Sequence, residues 1–145
     1  MSLTGIVYAV GAAITWGLVY TLDQRLLRNL SPLELLFINS LITTIILFPL
    51  VSGKSNGLAL IDGYSGRVWL FVLASLLLAA IANLFIFSSI RLLGASTASV
   101  FEIAYPFFVV MFSYFVYRTS PNIYFIFGAT LIFIGAAIII RHATT

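Results

Sequence analysis

The sequence predicts an all-α membrane protein with five transmembrane helices. Hydrophobic residues make up 62% of the 145-residue chain and charged residues only 8%, whereas soluble domains carry about 25% charged residues. Five apolar stretches are each long enough for a helix to cross the bilayer, which takes about 20 residues. We expect a single transmembrane domain over residues 1–145, with helices near residues 4–22, 33–51, 68–90, 95–117 and 122–140.

Charge and cysteine content exclude several classes of function. The formal net charge of +3 is small and spread over the loops, so we expect no nucleic-acid partner. The chain has no cysteine and one histidine, His142 near its end, which excludes disulfides and thiolate metal sites. We therefore expect neither a metal nor a cofactor. The HExxH and Gly-x-Ser-x-Gly patterns of hydrolytic enzymes are also missing, so we do not expect an enzyme.

The first predicted helix combines a stripe of small residues with two aromatic ones. Small side chains recur at every fourth position from Gly5 to Thr21, which places them on one face, where another helix can approach closely. Trp16 and Tyr20 lie beside this face, and either packing at the membrane interface or contact with a ligand explains Trp16. Asp23 and the arginines after it indicate where the chain leaves the membrane.

The second and third predicted helices each carry an amide within an apolar stretch. Ser31, Pro32 and Glu34 form the pattern of a capping box, which predicts where the second helix starts. A hydrogen bond to a neighbouring helix explains Asn39. Asn83, in the third helix, either makes such a bond or faces a cavity that binds substrate, and the sequence leaves both interpretations open.

The fourth predicted helix contains an acidic residue well inside an apolar stretch, Glu102. A carboxylate in such a position is costly and is a functional-site hypothesis by default; the alternative is a bond to a neighbouring helix that only holds the bundle together. Pro106 has no N–H to donate to the Glu102 carbonyl, which predicts a helix break beside the acid. Ser99 shares the face of Glu102, and Tyr105 flanks it with a ring and a hydroxyl. The candidate substrate- and proton-binding residues are Glu102, Tyr105, Asn83, Trp16 and Ser99.

Short motifs along the chain resemble those of the EamA-like half of the drug/metabolite transporter superfamily. Their order and their spacing over five helices carry this resemblance. The motifs are Trp16-Gly17 in the first helix, Ser31-Pro32 opening the second, Gly94-Ala95-Ser96 opening the fourth, Tyr105-Pro106-Phe107 within it, and Gly128 to Gly135 in the last.

The resemblance implies a function and a partner. Such family members typically have ten helices, built as two five-helix halves of opposite orientation, and move small metabolites, amino acids or drugs. It therefore implies a multi-pass secondary transporter of the cell membrane. The position of Glu102 inside an apolar stretch makes it the acid that we expect to bind the substrate or a proton. This chain corresponds to one half of a ten-helix inverted-repeat transporter, so a second half is implied. Arg118-Thr119 stands where members often carry a glutamate. A non-transporting subunit that packs against another membrane protein is the alternative.

The distribution of Lys and Arg favours an antiparallel homodimer. Orientation follows the excess of these residues on the cytoplasmic side, and here the two sides are nearly equal. Two copies of opposite orientation would rebuild the ten-helix arrangement, whereas a parallel dimer or a different half-transporter is the alternative. The cations of the amino-terminal side are Lys54, Arg67 and Arg118, and those of the other side are Arg25, Arg28, Arg91 and Arg141.

Overall fold

The computed structural model describes residues 2–53 and 64–143, and this part of the chain folds into helices without strands. Five segments of this part are long and apolar enough to cross a membrane, and one of them, Ala95–Tyr117, consists of two consecutive helices. The predicted fold class and the five membrane-spanning segments are thus confirmed. The helices are α1 (Leu3–Leu26), α2 (Pro32–Ser52), α3 (Gly66–Leu93), α4 (Ala95–Glu102), α5 (Tyr105–Tyr117) and α6 (Ile123–Ala143).

Local chemistry sets the ends of the first two helices. The capping box predicted for α2 is confirmed: Ser31 Oγ accepts a hydrogen bond from the Glu34 amide at 3.2 Å, and Glu34 Oε2 accepts one from the Ser31 amide at 2.7 Å. The end of α1 differs from the prediction. The helix continues past residue 22 to Leu26, so Asp23 lies within it and not beyond it.

The fourth membrane segment is interrupted beside Glu102. The sequence predicted one helix over residues 95–117, whereas α4 ends at Glu102 and α5 begins at Tyr105, with Ile103 and Ala104 between them. Pro106 is the second residue of α5, a position at which its missing N–H removes no helical hydrogen bond. Glu102 is therefore the last residue of a short helix, next to a place where the backbone direction can change.

A single glycine joins α3 to α4. Gly94 has φ +82° and ψ 159°, a conformation that residues with a Cβ rarely adopt. The next amide, that of Ala95, donates a hydrogen bond to Gln24 Oε1 on α1 at 2.8 Å. This bond satisfies one of the amides that the first turn of a helix leaves without a partner, and it fixes the start of α4 against α1.

The buried core lies at one end of the bundle, where α1 and α3 end and where α2 and α4 begin. We call this the closed end. At the opposite end, which we call the open end, most of the apolar side chains are exposed, as lipid-facing helices require. The core consists of Leu27, Leu35, Phe87, Ile90, Ala95 and Ala98.

The described residues leave space beside several glycines of the predicted small-residue faces. A Cβ added at Gly17 on α1, or at Gly128 or Gly135 on α6, would meet no atom of another described element within 4 Å. Gly17 is exposed, whereas Gly128 and Gly135 are half-buried. Gly128 also lines a pocket with Pro106 and Phe107 of α5, so of these two faces the one on α1 is open to lipid or to another helix. Close packing of these faces against a partner stays a prediction.

Candidate functional site

Four polar side chains lie one helical turn from the core, each on a different helix. In every case the polar residue is four positions from a core residue, about 6 Å along the helix axis, in the direction away from the closed end. We call these four residues the polar layer. The polar residues and their core neighbours are Asp23 and Leu27 on α1, Asn39 and Leu35 on α2, Asn83 and Phe87 on α3, and Glu102 and Ala98 on α4.

Glu102 is held to α1 by a tyrosine. The Tyr20 hydroxyl donates a hydrogen bond to Glu102 Oε2 at 2.6 Å in a partly buried setting. Tyr20 packs against the core, and its ring meets Trp16 edge to face with the centroids 5.7 Å apart. Hydrogen bonds to a carboxylate are among the stronger ones when the acceptor is ionised. The acid of α4 is thus joined to an aromatic pair on α1.

A cleft of about 980 Å³ opens between α1, α2 and α3. Three members of the polar layer line it, whereas Glu102 does not and contacts Tyr20 on a neighbouring face of α1. No lysine, arginine or histidine is among the described residues that line this cleft. The walls are otherwise largely apolar, with hydroxyl groups on α1 and α2. The polar lining residues are Thr15, Asp23, Asn39, Ser40, Thr43, Thr44 and Asn83.

Asp23 is the site residue that sequence reasoning missed. Its side chain is only 4% exposed, and Oδ2 has no hydrogen-bond partner among residues 2–53 and 64–143. A charge at the end of an apolar stretch is typical of the point where a chain leaves the membrane, and the sequence alone predicts such an exit at Asp23. The spacing to Trp16 could have indicated a site residue. Asp23 follows Trp16 by seven residues, which is two turns of helix, so both lie on one face of α1.

The structure brings some of the predicted site residues together and leaves others apart. Trp16 and Asn83 both line the cleft. The side chains of Asn83 and Ser99 each donate a hydrogen bond to a backbone carbonyl of their own helix at 2.9 Å. Tyr105 lies beyond the helix break and is 63% exposed, so the hydroxyl that contacts Glu102 belongs to Tyr20 and not to Tyr105. Ser99 and Tyr105 lie outside the cleft.

The chemistry that this arrangement offers is binding and proton exchange. The polar layer supplies two carboxylates and two amides, groups that accept protons or cations and form hydrogen bonds. In the part of the chain that the structure describes, no three His, Cys, Asp or Glu side chains lie close enough together to hold a metal ion. The layer therefore has the composition of a small-molecule or proton site within the membrane, where ionisable residues mark functional positions.

Comparison with known proteins identifies the family. Neither a search of curated proteins nor a search of solved structures gives a match. The EamA-like transporter family matches residues 3–141, nearly the whole chain, and that range contains all five membrane-spanning segments up to Arg141. The chain belongs to the EamA-like transporter family.

Proposed function

We propose that this protein is a proton-coupled secondary transporter of a small metabolite or drug-like molecule in the cell membrane. The observation that carries the proposal is the position of Glu102 within a membrane-spanning segment, hydrogen-bonded to α1 and next to a helix break. An acid at such a position can exchange a proton and change the contact between two helices in the same event. Transport is also the function that the family suggests.

The Tyr20–Glu102 contact provides a simple two-state element. The Tyr20 hydroxyl donates a hydrogen bond to Glu102, and such a bond is stronger when the carboxylate is ionised. When Glu102 is protonated, its charge is lost, and its own O–H can donate to another acceptor. The strength of the link between α1 and α4 therefore depends on the protonation state of Glu102. Such a charge change at one site can bias an element that has two arrangements.

The break between α4 and α5 allows α5 to move without disrupting the core. The core includes Ala95 and Ala98 of α4, whereas α5 contributes no buried residue. Discontinuous helices at the binding site are a recurrent feature of secondary transporters. We infer that α5 changes position relative to α1–α4 during the transport cycle, with Ile103 and Ala104 as the hinge.

Substrate binds, in this proposal, in the cleft between α1, α2 and α3. Trp16 and Asn83 supply an aromatic surface and an amide there, and about 980 Å³ accommodates a metabolite or drug-sized molecule. Asn83 and Glu102 belong to the same layer on different sides of the bundle. Proton and substrate can thus act at one level of the membrane through different side chains.

We also propose that two five-helix units assemble, with an antiparallel homodimer favoured over a parallel dimer or a different half-transporter. The exposed backbone at Gly17 supports this, because small residues allow helices of two subunits to approach closely. The near-equal Lys and Arg content of the two sides supports opposite orientations. We propose neither enzymatic activity nor a cofactor.

A purely structural role of Glu102 is the main competing interpretation, since its bond to Tyr20 also holds two helices together. The test is proton-driven uptake of a metabolite panel into liposomes that contain the purified protein. Glu102→Gln keeps the size of the side chain and can still accept from Tyr20, but it cannot titrate. We expect folded protein without proton-driven uptake.

The control is Glu34→Gln, which removes one carboxylate from the exposed start of α2. We expect it to retain uptake. Wild-type uptake at every pH in Glu102→Gln would refute the coupling role. An aggregated variant would instead indicate that Glu102 is needed for folding.

A further inference from the structure

We infer that the cleft binds an organic cation, a protonated primary or secondary amine with an apolar body, and that Asp23 is the counter-charge of the ammonium group. The inference rests on the proposed function, since it names the substrate class of the same cleft. It assigns a role to an acid that the coupling mechanism of Glu102 does not use.

Asp23 is buried, and one of its carboxyl oxygens lacks a hydrogen-bond donor from the described part of the chain. Asp23 is 4% exposed, and Oδ2 lacks a hydrogen-bond donor among the described residues. A carboxylate buried without a partner is expensive, because neither water nor another group compensates for its lost hydration. Native structures rarely keep such a group unsatisfied unless a ligand, an ion or water completes it. A ligand with a positive charge and an N–H group compensates for the lost hydration of the carboxylate and also supplies the missing hydrogen-bond donor.

The described residues that line the cleft include no cationic side chain. The arginines next in sequence, Arg25 and Arg28, line a different pocket at the closed end, together with Thr21. Among the described residues that line the cleft, Asp23 is the one that can carry a charge. Whenever Asp23 is ionised, the cleft therefore attracts cations and repels anions, and a bound cation in turn favours the ionised form.

Two amides and an indole ring line the same cleft as Asp23. Asn39 and Asn83 lie at the same level as Asp23 on the two facing helices, so amide oxygens are available for the further N–H groups of an ammonium ion. A quaternary ammonium, which has no N–H, could not use them. Two turns towards the open end lies Trp16, which is 53% exposed. The Trp16 ring and the aliphatic residues beside it can pack against the apolar or aromatic part of the ligand. A cation near the face of the ring is attracted as well.

The probe is phenethylammonium, measured by equilibrium dialysis against purified protein in detergent, with binding to empty micelles subtracted. We expect saturable binding that weakens at least tenfold in Asp23→Asn. The uncharged 2-phenylethanol and the quaternary phenethyltrimethylammonium should each bind at least tenfold more weakly than the amine to the wild-type protein. Glu34→Gln is the matched control, since it removes a carboxylate outside the cleft and should leave binding unchanged.

Equal binding of the amine and the alcohol to wild type, unchanged binding in Asp23→Asn, or no saturable binding would each overturn the inference. If Asp23→Asn does not fold, the affinity of Asn39→Ala for phenethylammonium is measured in its place. An affinity several-fold weaker than that of the wild type supports the site, and an unchanged affinity contradicts it. The assay needs no gradient, so it separates the two proposals. Amine binding without proton-driven uptake would refute the transport function alone, and uptake of other metabolites without amine binding would refute the amine site alone.

Discussion

The contribution of the Tyr20–Glu102 hydrogen bond to the free energy of unfolding can be measured by removing the phenolic hydroxyl. In Tyr20→Phe the ring stays packed on the core and on Trp16, and only the donor to Glu102 Oε2 is lost. Hydrogen bonds to charged groups contribute about 1.5–3 kcal/mol in soluble proteins, whereas those between membrane helices average about 0.6 and reach about 1.7 kcal/mol. At 2.6 Å to a carboxylate, this bond belongs in the upper part of the membrane range. We therefore expect this bond to contribute about 1–1.7 kcal/mol to the free energy of unfolding.

The assay is a double-mutant cycle of Tyr20→Phe and Glu102→Ala, with unfolding by SDS in mixed micelles followed by circular dichroism. Alanine is used because glutamine would still accept from the tyrosine. We expect a coupling energy of about 1–1.7 kcal/mol between the two positions. Tyr8→Phe, on the same helix with Tyr8 75% exposed, is the control and should change stability little. Additivity within about 0.3 kcal/mol would refute the contact and the two-state element built on it.

Two further predictions concern the helix break and the assembly. Pro106→Ala supplies an amide that can donate to the Glu102 carbonyl and join α4 to α5; we expect a stable protein with slower liposome uptake, whereas Pro49→Ala within α2 should leave uptake unchanged. Equal uptake in Pro106→Ala would show that the break plays no part in the cycle. For assembly, the chain has no native cysteine, so single cysteines at Gly53 and Ala143 can be labelled from outside intact cells. Antiparallel pairing predicts partial labelling of both, and labelling at one position only would exclude it.

The membrane-spanning segments could be predicted from the sequence because each depends on its own residues. Apolar length predicts a span, and the Ser31–Glu34 capping box is a local pattern that predicts a helix start. The break after Glu102 was indicated by Pro106, but its location was not. The interruption lies at Ile103 and Ala104, ahead of the proline, because Pro106 has no N–H to donate to the Glu102 carbonyl.

The contacts of the site could not be predicted in the same way, because they join residues far apart in sequence. Tyr20 and Glu102 are 82 positions apart, and no local sequence pattern around either residue indicates that the two are in contact. The sequence therefore assigned the flanking hydroxyl to Tyr105, the nearest tyrosine along the chain. Asp23 was missed for a different reason. Its distance from the bilayer interface depends on how far α1 continues and on what packs over its last turn.

The most direct test of the coupling mechanism measures proton movement itself. Liposomes that contain the purified protein and a trapped pH-sensitive dye receive a gradient of the panel metabolite that is taken up fastest, with no imposed pH gradient. Coupling through Glu102 predicts a change of internal pH with the wild-type protein and none with Glu102→Gln, although both bind the substrate. A pH change of wild-type size in Glu102→Gln would contradict it.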